Sequence, residues 1–347
     1  MDTYKIFCDQ AQGLFCDRLD DLCLRIEAWL AAEEAEGRRL QYAKVFLSDI
    51  ANQEDELRRS RLMTDVIGHT ACTLIQQSPI GGAKIALLMK TSTDGESPFQ
   101  LHSLRLTDEE VMNFGSYVQT VMLFDKYLAL LKEQGLTLEK HCVRTWIYVR
   151  DIDTNYDGVV KARNDIFRQH GLTADTHFIA STGIGGRASG RNVVVAIDFL
   201  TCPKVQPGNI TYLHALDHLN PTHEYGVAFE RGTRITLPDF PQQFFISGTA
   251  SINHHGEVVH VGNVALQTKR LLENISALLS DGDAKLSDVR YFIIYLRDLA
   301  DAPVVEAYME HTFPDVPRII TYAKVCRPAW LVEMECIAQR PSIVANT

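Results

Sequence analysis

One pattern occurs three times in this chain and constrains its fold more than any other feature. It runs: amphipathic helix, β-rich strand ending in aspartate, second helix, two further strands. The anchor strands are Val45-Phe-Leu-Ser-Asp49, Ile147-Tyr-Val-Arg-Asp151 and Ile294-Tyr-Leu-Arg-Asp298. Each follows a helical stretch: 14–36, with Leu19, Leu22, Cys23 and Ile26 on one stripe; 108–134; and 265–279, with Leu271, Leu272, Ile275 and Leu278 on one stripe. Each is followed by a second helix, over 52–66, 156–170 and 302–312. The closing strands are expected at 70–76 and 84–89, at 176–181 and 192–200, and at 318–325 and 331–337. Such an αβαββ unit makes a mixed sheet with helices on one face, so the fold class is α+β, with the units packed in a pseudo-symmetric array. Only the last unit shows a leading hairpin, over 226–236 and 244–252, with His254-His-Gly256 as a turn. The expected divisions are residues 1–92, a half unit; 93–202, a second unit; 203–224, a turn-rich linker; and 225–347, a complete unit. The first boundary is placed near 92–97.

Composition removes several function classes. No apolar run reaches membrane-spanning length, and Met1–Cys8 reads as no basic-then-apolar leader. Eight cysteines are scattered without a CxxC or a framework spacing, which reads as reduced thiols and a cytoplasmic protein. A net charge of −10, with no aromatic–basic stripe, argues against a nucleic-acid partner. His254-His255 has no neighbouring ligand spacing, so neither a metal nor another cofactor is expected.

The chemistry-bearing residues concentrate in the last unit. Arg318 opens one strand-like run and Glu333 lies in the next, fifteen residues on, joined by Cys326-Arg-Pro-Ala329. A hairpin there would bring guanidinium and carboxylate to one site, a cation to hold a substrate carboxylate beside an acid that moves a proton. The competing reading is a structural ion pair, the commoner use of such residues. Glu333 stands among Leu331, Val332, Met334, Cys336 and Ile337, so desolvation would raise its pKa; Glu335 shares its parity and is read as a hydrogen-bonding carboxylate. Arg231, Arg327 and Arg163 are candidates for a second carboxylate anchor, with a solvated surface role as the alternative for each. Trp146 and Tyr148 share one strand face and suit either a pocket wall or core packing. The glycines Gly183 and Gly185 follow a strand but lead to another strand, so they are read as a hairpin loop approaching a ligand rather than a phosphate loop. Cys326 has no triad-like partner and defaults to a free thiol.

The last unit resembles the Rid superfamily (reactive intermediate deaminases, YjgF-like). The resemblance rests on Phe245-Ile-Ser-Gly-Thr-Ala-Ser251, Gln267–Leu279, Tyr295-Leu-Arg-Asp-Leu299, Tyr308, Pro317-Arg318 and Val332-Glu-Met-Glu-Cys-Ile-Ala338. It implies the Rid (chorismate-mutase-like) fold, with Arg318 on a substrate carboxylate, Glu333 positioning a water, and Phe229, Gly248 and Thr249 beside the site. A family asparagine is replaced by Val305, and the positions equivalent to Arg318 and Glu333 in the second unit fall at Ser181 and Ala196. Rid proteins are usually trimers of single units with sites at the contacts, so the chain looks like such an assembly fused into an intramolecular pseudotrimer, with further homo-oligomerisation left open. A second resemblance is to chorismatases, on Arg144-Thr-Trp-Ile-Tyr148, Ala162-Arg-Asn164, Ala180-Ser-Thr-Gly-Ile-Gly185 and Val325-Cys-Arg-Pro-Ala-Trp-Leu-Val-Glu-Met-Glu335. It implies a hydrolase that cleaves the enolpyruvyl ether of chorismate or a related carboxylate and releases pyruvate. Imine or enamine deamination and non-catalytic metabolite binding are the alternatives.

Overall fold

A computed structural model describes residues 2–10, 12–93 and 97–342. Half of the boundary expected at 92–97, residues 94–96, lies outside the described residues. The first sheet is built from β1 (Thr3–Cys8), β2 (Arg38–Leu47), β3 (Ala71–Gln76) and β5 (Ile85–Thr93), with α1 (Phe15–Ala35) and α2 (Ile50–Arg59) against it. A two-residue strand, β4 (Ser78–Pro79), leaves this sheet for another. The second contains β6 (Gln100–Leu104), β7 (Cys142–Val149), β8 (Ala180–Gly185) and β9 (Val195–Thr201), with short helices α3 (Asp108–Val111) and α5 (Leu138–His141) and long helices α4 (Ser116–Glu133) and α6 (Ile152–Gln169). The third contains β10 (Ile210–Leu213), β11 (Gly232–Ile235), β12 (Gln242–Thr249), β13 (Val289–Leu296), β14 (Arg318–Tyr322) and β15 (Val332–Arg340), with α7 (Val264–Asp281) and α8 (Ala302–Thr312).

The connectivity is the same in all three. The strand orders β1-β5-β2-β3, β6-β9-β7-β8 and β12-β15-β13-β14 share one plan: the anchor strand pairs parallel with the strand after its crossover helix and antiparallel with the last strand of the unit. The parallel pairing follows from the intervening helix, since a parallel neighbour needs a crossover connection. Strands β1 and β6 are leading strands of the first two units, where only the third was expected to have one. Their short runs, with a polar residue at every second or third position, carried little signal.

Three other expectations change. The helix over 108–134 is broken where Met112 takes φ 42°, because the Asp108 carboxylate accepts the N–H groups of Arg191 and Asn192 and ties α3 to the loop before β9. The strand expected at 176–181 lies at 180–185, since Thr176 is held in a turn with Gly171 and Thr173. The 203–224 segment contributes β10, paired with β11 at the edge of the third sheet.

Contacts between sheets are made by their outer parallel strands. β14 pairs with β4 of the first unit, Ile184 of β8 bridges to Val325, and Gln76 bridges to Arg187. Apolar side chains from all three units form one continuous core. α7 buries Leu271, Leu272, Ile275, Leu278 and Leu279 in it, each contributing about 2 kcal/mol.

Candidate active site

Glu333 and Arg318 do not meet. β13 lies between their strands: Arg318 stands opposite Phe292 on one edge and Glu333 opposite Tyr295 on the other, so they are about 10 Å apart along the sheet and about 10 Å across it. The hairpin expected from the short link between them does not form. Instead, Arg318 donates to the Phe313 carbonyl at 3.0 Å and pairs with Glu310. It lines a separate cavity against Lys5, Cys8 and Ala86 of the first unit.

Glu333 faces a cavity between the second and third sheets. Its walls include Ser181 and Gly183 from β8, Tyr156 and Arg163 from α6, Phe229, Arg231 and Gly248 near β11 and β12, and Cys326, Arg327 and Trp330 from the segment before β15. Of the residues singled out from the sequence, Glu333, Arg231, Arg327, Arg163, Cys326, Phe229, Gly183 and Gly248 are gathered here. Trp146, Tyr148, Thr249, Gly185 and Arg318 are not. Tyr156, Trp330 and Ser181 join the site; Ser181 and Trp330 stand inside runs that carry the resemblance, Ser181 also as the register equivalent of Arg318, and Tyr156 carried no signal of its own.

Three guanidinium groups line the same cavity as the acid. Arg163 on α6 is 1% exposed and lies 5.9 Å from the Phe229 ring centroid. Arg231, also buried, stacks at 5.5 Å over that ring and is braced by donating to the Asn220 carbonyl at 3.1 Å. Arg327 is exposed and stacks at 5.4 Å over Trp330. Stacked, braced guanidinium forks present fixed donors to a planar carboxylate.

Glu333 is 4% exposed. Burial, with the nearby Glu335 charge adding to it, pushes its pKa up to about 8 against the pull of Arg144 and Arg231, so the carboxyl group is protonated at neutral pH. Gly248 is wedged against it: a methyl group there would overlap the Glu333 carboxylate. Burial first, then the Glu333 charge, also pushes up the thiol of Cys326, which hydrogen-bonds Tyr156.

A polar cluster from the second unit supports this wall. Arg144 of β7 donates to Glu335 at 2.8 Å and to Thr182 at 2.5 Å, and Trp146 donates its indole N–H to Glu335 at 2.7 Å. The Thr182 hydroxyl donates to Glu335 and accepts the Gly248 N–H at 2.9 Å. Trp146 and Tyr148 are therefore core residues at a unit boundary, not a pocket wall. Tyr148 donates to Asp198, which also meets Lys44 at 3.5 Å and Arg105 at 3.0 Å. Lys44 sits 3.3 Å over the Trp146 ring, and burial depresses its pKa to about 8. The glycines of β8 serve close approach within a strand rather than a loop: a Cβ on Gly183 would strike the Tyr156 ring at 2.9 Å, and one on Gly185 the Lys324 backbone at 2.8 Å.

The protein is thus an α+β chain of repeated units with a buried acid in a cavity where two of them meet. Residues 239–340 match the family model described as endoribonuclease L-PSP. The chain is 33% identical over 96 residues to the 3-aminoacrylate deaminase RutC of Acinetobacter baylyi, covering 27% of this chain and 76% of that protein. It is 30% identical over 229 residues to a 3-hydroxybenzoate synthase of Streptomyces hygroscopicus, covering 59% of this chain and 65% of that one, just under two thirds of the relative's length. The crystal structure of a chorismatase superposes with a TM-score of 0.67 at 17% identity, over 97% of this chain and 98% of that one, which establishes a shared fold. The chain belongs to the Rid family and shares its overall fold with a chorismatase. Among the described residues, no helix is long and apolar enough to cross a membrane.

Proposed function

We propose that the chain is a chorismatase-like hydrolase that cleaves the enolpyruvyl ether of chorismate or a related dicarboxylate and releases pyruvate. The observation that carries this reading is a buried carboxyl group in a cavity that three arginines also line, with burial pushing its pKa upward. Enol-ether hydrolysis begins with proton transfer to the methylene carbon, a slow step that needs a positioned acid. Glu333 donates that proton, leaving an oxocarbenium ion. Water adds to the cation and returns a proton to the Glu333 carboxylate. The hemiketal then collapses to pyruvate and the ring alcohol, with no cofactor required.

Arg231 and Arg163, at the Phe229 face, anchor one carboxylate, and Arg327 the other. Arg318 is not assigned to this site. Phe229 and Arg231 also line an outer cavity of about 310 Å³ with His177 and His214, which we assign as the approach for substrate. The relationship to a 3-aminoacrylate deaminase supports imine or enamine hydrolysis as a second reading. That substrate presents one carboxylate, for which three arginines are more than is required.

The repeated connectivity supports treating the chain as a pseudotrimer with one armed contact, because Ala86 and Ala196 occupy the register positions of Glu333 in the first two units. Eight free cysteines support a cytoplasmic setting. The test is pyruvate release from chorismate by the purified protein, followed with a coupled dehydrogenase. Release abolished by Glu333→Gln supports the hydrolase. Silence with chorismate and turnover of 2-iminopropanoate would replace it with the deaminase.

A further inference from the structure

Behind the β8 wall of the Glu333 cavity lies a second cavity of about 310 Å³, formed where the three units meet. Gln76 comes from the first unit, Arg150, Gly185 and Arg187 from the second, and Tyr322 and Lys324 from the third. Its electrostatics run against the rest of the molecule. The lining cations Arg150, Arg187 and Lys324, with Arg297 alongside, meet two carboxylates, Asp151 and Asp153. Asp153 is shared, at 2.7 Å from Arg297 and 3.0 Å from Lys324, and Asp151 is a mostly exposed partner 3.5 Å from Arg150. Four cations less two anions leave a charge of +2 here, in a chain whose net charge is −10.

Arg187 is the uncommitted member. It pairs with no carboxylate among the described residues, and its Nε is buried without an acceptor. Arg187 lines the cavity and is half-buried, so its guanidinium charge, which no carboxylate among the described residues neutralises, is placed to meet an oxyanion there. The absence of a side chain at Gly185 lets the Lys324 backbone lie directly on β8, which brings the lysine to the cavity shared with Arg187.

We propose that this cavity binds a small oxyanion of charge −2, a phosphate or a dicarboxylate, held by Arg187 with Arg150 and Lys324. Occupancy is placed to act on the catalytic wall, because three segments run from one cavity to the other. α6 has Ile152 at the anion cavity and Tyr156 and Arg163 at Glu333; β8 has Gly185 at the first and Ser181 and Gly183 at the second; the chain after β14 has Lys324 at the first and Cys326 and Arg327 at the second.

The test reads binding, so it does not depend on the proposed reaction. The full-length protein and its Arg187→Gln, Lys324→Gln and Glu333→Gln variants are titrated calorimetrically with inorganic phosphate, then with malonate. The site predicts saturable binding of at least one of these, weakened at least about tenfold by Arg187→Gln, weakened also by Lys324→Gln and unchanged by Glu333→Gln. Phosphate without malonate assigns the ligand as a phosphate; the reverse assigns a dicarboxylate. Lys324 is exposed, so its variant keeps the test decisive if Arg187→Gln fails to fold. No saturable binding of either anion, or binding undiminished in both Arg187→Gln and Lys324→Gln, would overturn the proposal.

Discussion

Replacing Glu335 with glutamine should move the basic limb of the pH–rate profile downward. Glu335 and Glu333 are two residues apart on β15 with side chains on one face, so their charges are about 7 Å apart. At an effective dielectric constant of about 20, removing one of two like charges at that distance is worth about 2.4 kcal/mol. At 1.36 kcal/mol per unit, the Glu333 pKa falls by about 1.7, from about 8 to about 6.3. Arg144, relieved of its partner, pulls in the same direction. The proton donor is then about nine-tenths protonated at pH 7 in the natural protein and about one-sixth protonated in the variant, from the same two pKa values.

The assay is kcat/KM for pyruvate release between pH 5 and 9, which reports the pKa of the free enzyme's acid. At pH 5 the two proteins should agree to within about twofold, and at pH 7 the variant should be about fivefold slower. The single substitution also leaves Arg144 buried without its counter-charge, a destabilisation of about 3–5 kcal/mol. The double variant Glu335→Gln/Arg144→Met removes both charges, so stability should recover and the limb return toward pH 8. A limb that stays near 8 in the single variant, or shifts upward, would refute the electrostatic account of Glu333.

Three further outcomes follow from the same geometry. Glu333→Gln should abolish turnover and raise stability at alkaline pH. A carboxyl whose pKa rises from 4.5 to about 8 on folding binds more protons in the native state between those values, so its contribution to stability falls as pH rises through them. Denaturant melts at pH 5 and pH 9 should therefore show the variant gaining on the natural protein only at pH 9, by up to about 5 kcal/mol. Gly248→Ala should lower kcat/KM by at least about 100-fold with the fold intact by circular dichroism, because the added methyl displaces the Glu333 carboxylate. Arg318→Gln should leave pyruvate release within about twofold of the natural rate, whereas Arg231→Gln should raise KM at least about tenfold by losing a charge-assisted anchor. Equal losses in both would restore Arg318 to the site.

Much of the architecture was legible because it depends on local pattern. The stripes of α1 and α7 and the three anchor strands ending in aspartate lie close to their expected places. Where prediction drifted, the deciding contact was tertiary. Asp108 spends its carboxylate on backbone amides eighty residues away, so the helix breaks after one turn. Gly183 and Gly185 looked like loop residues, and they are strand residues because an aromatic ring and a backbone press on them from other elements.

The site shows the same division more sharply. Glu333 could be singled out from its apolar strand, and the arginines from their type, but sequence distance misled about which cation joins the acid. Fifteen residues and a four-residue link suggested a hairpin, yet β13, from earlier in the chain, inserts between the two strands. Once it does, the sheet separates Arg318 from Glu333, and the acid faces the next unit instead. The position there in register with Arg318 is Ser181, so the cation must come from elsewhere: from α6 as Arg163, and from Arg231 and Arg327 of the third unit itself. The two contacts are complementary: at Glu333 a serine stands in register with Arg318 while arginines from other positions line the cavity, and Arg318 lines a cavity where Ala86 holds the register position of the acid.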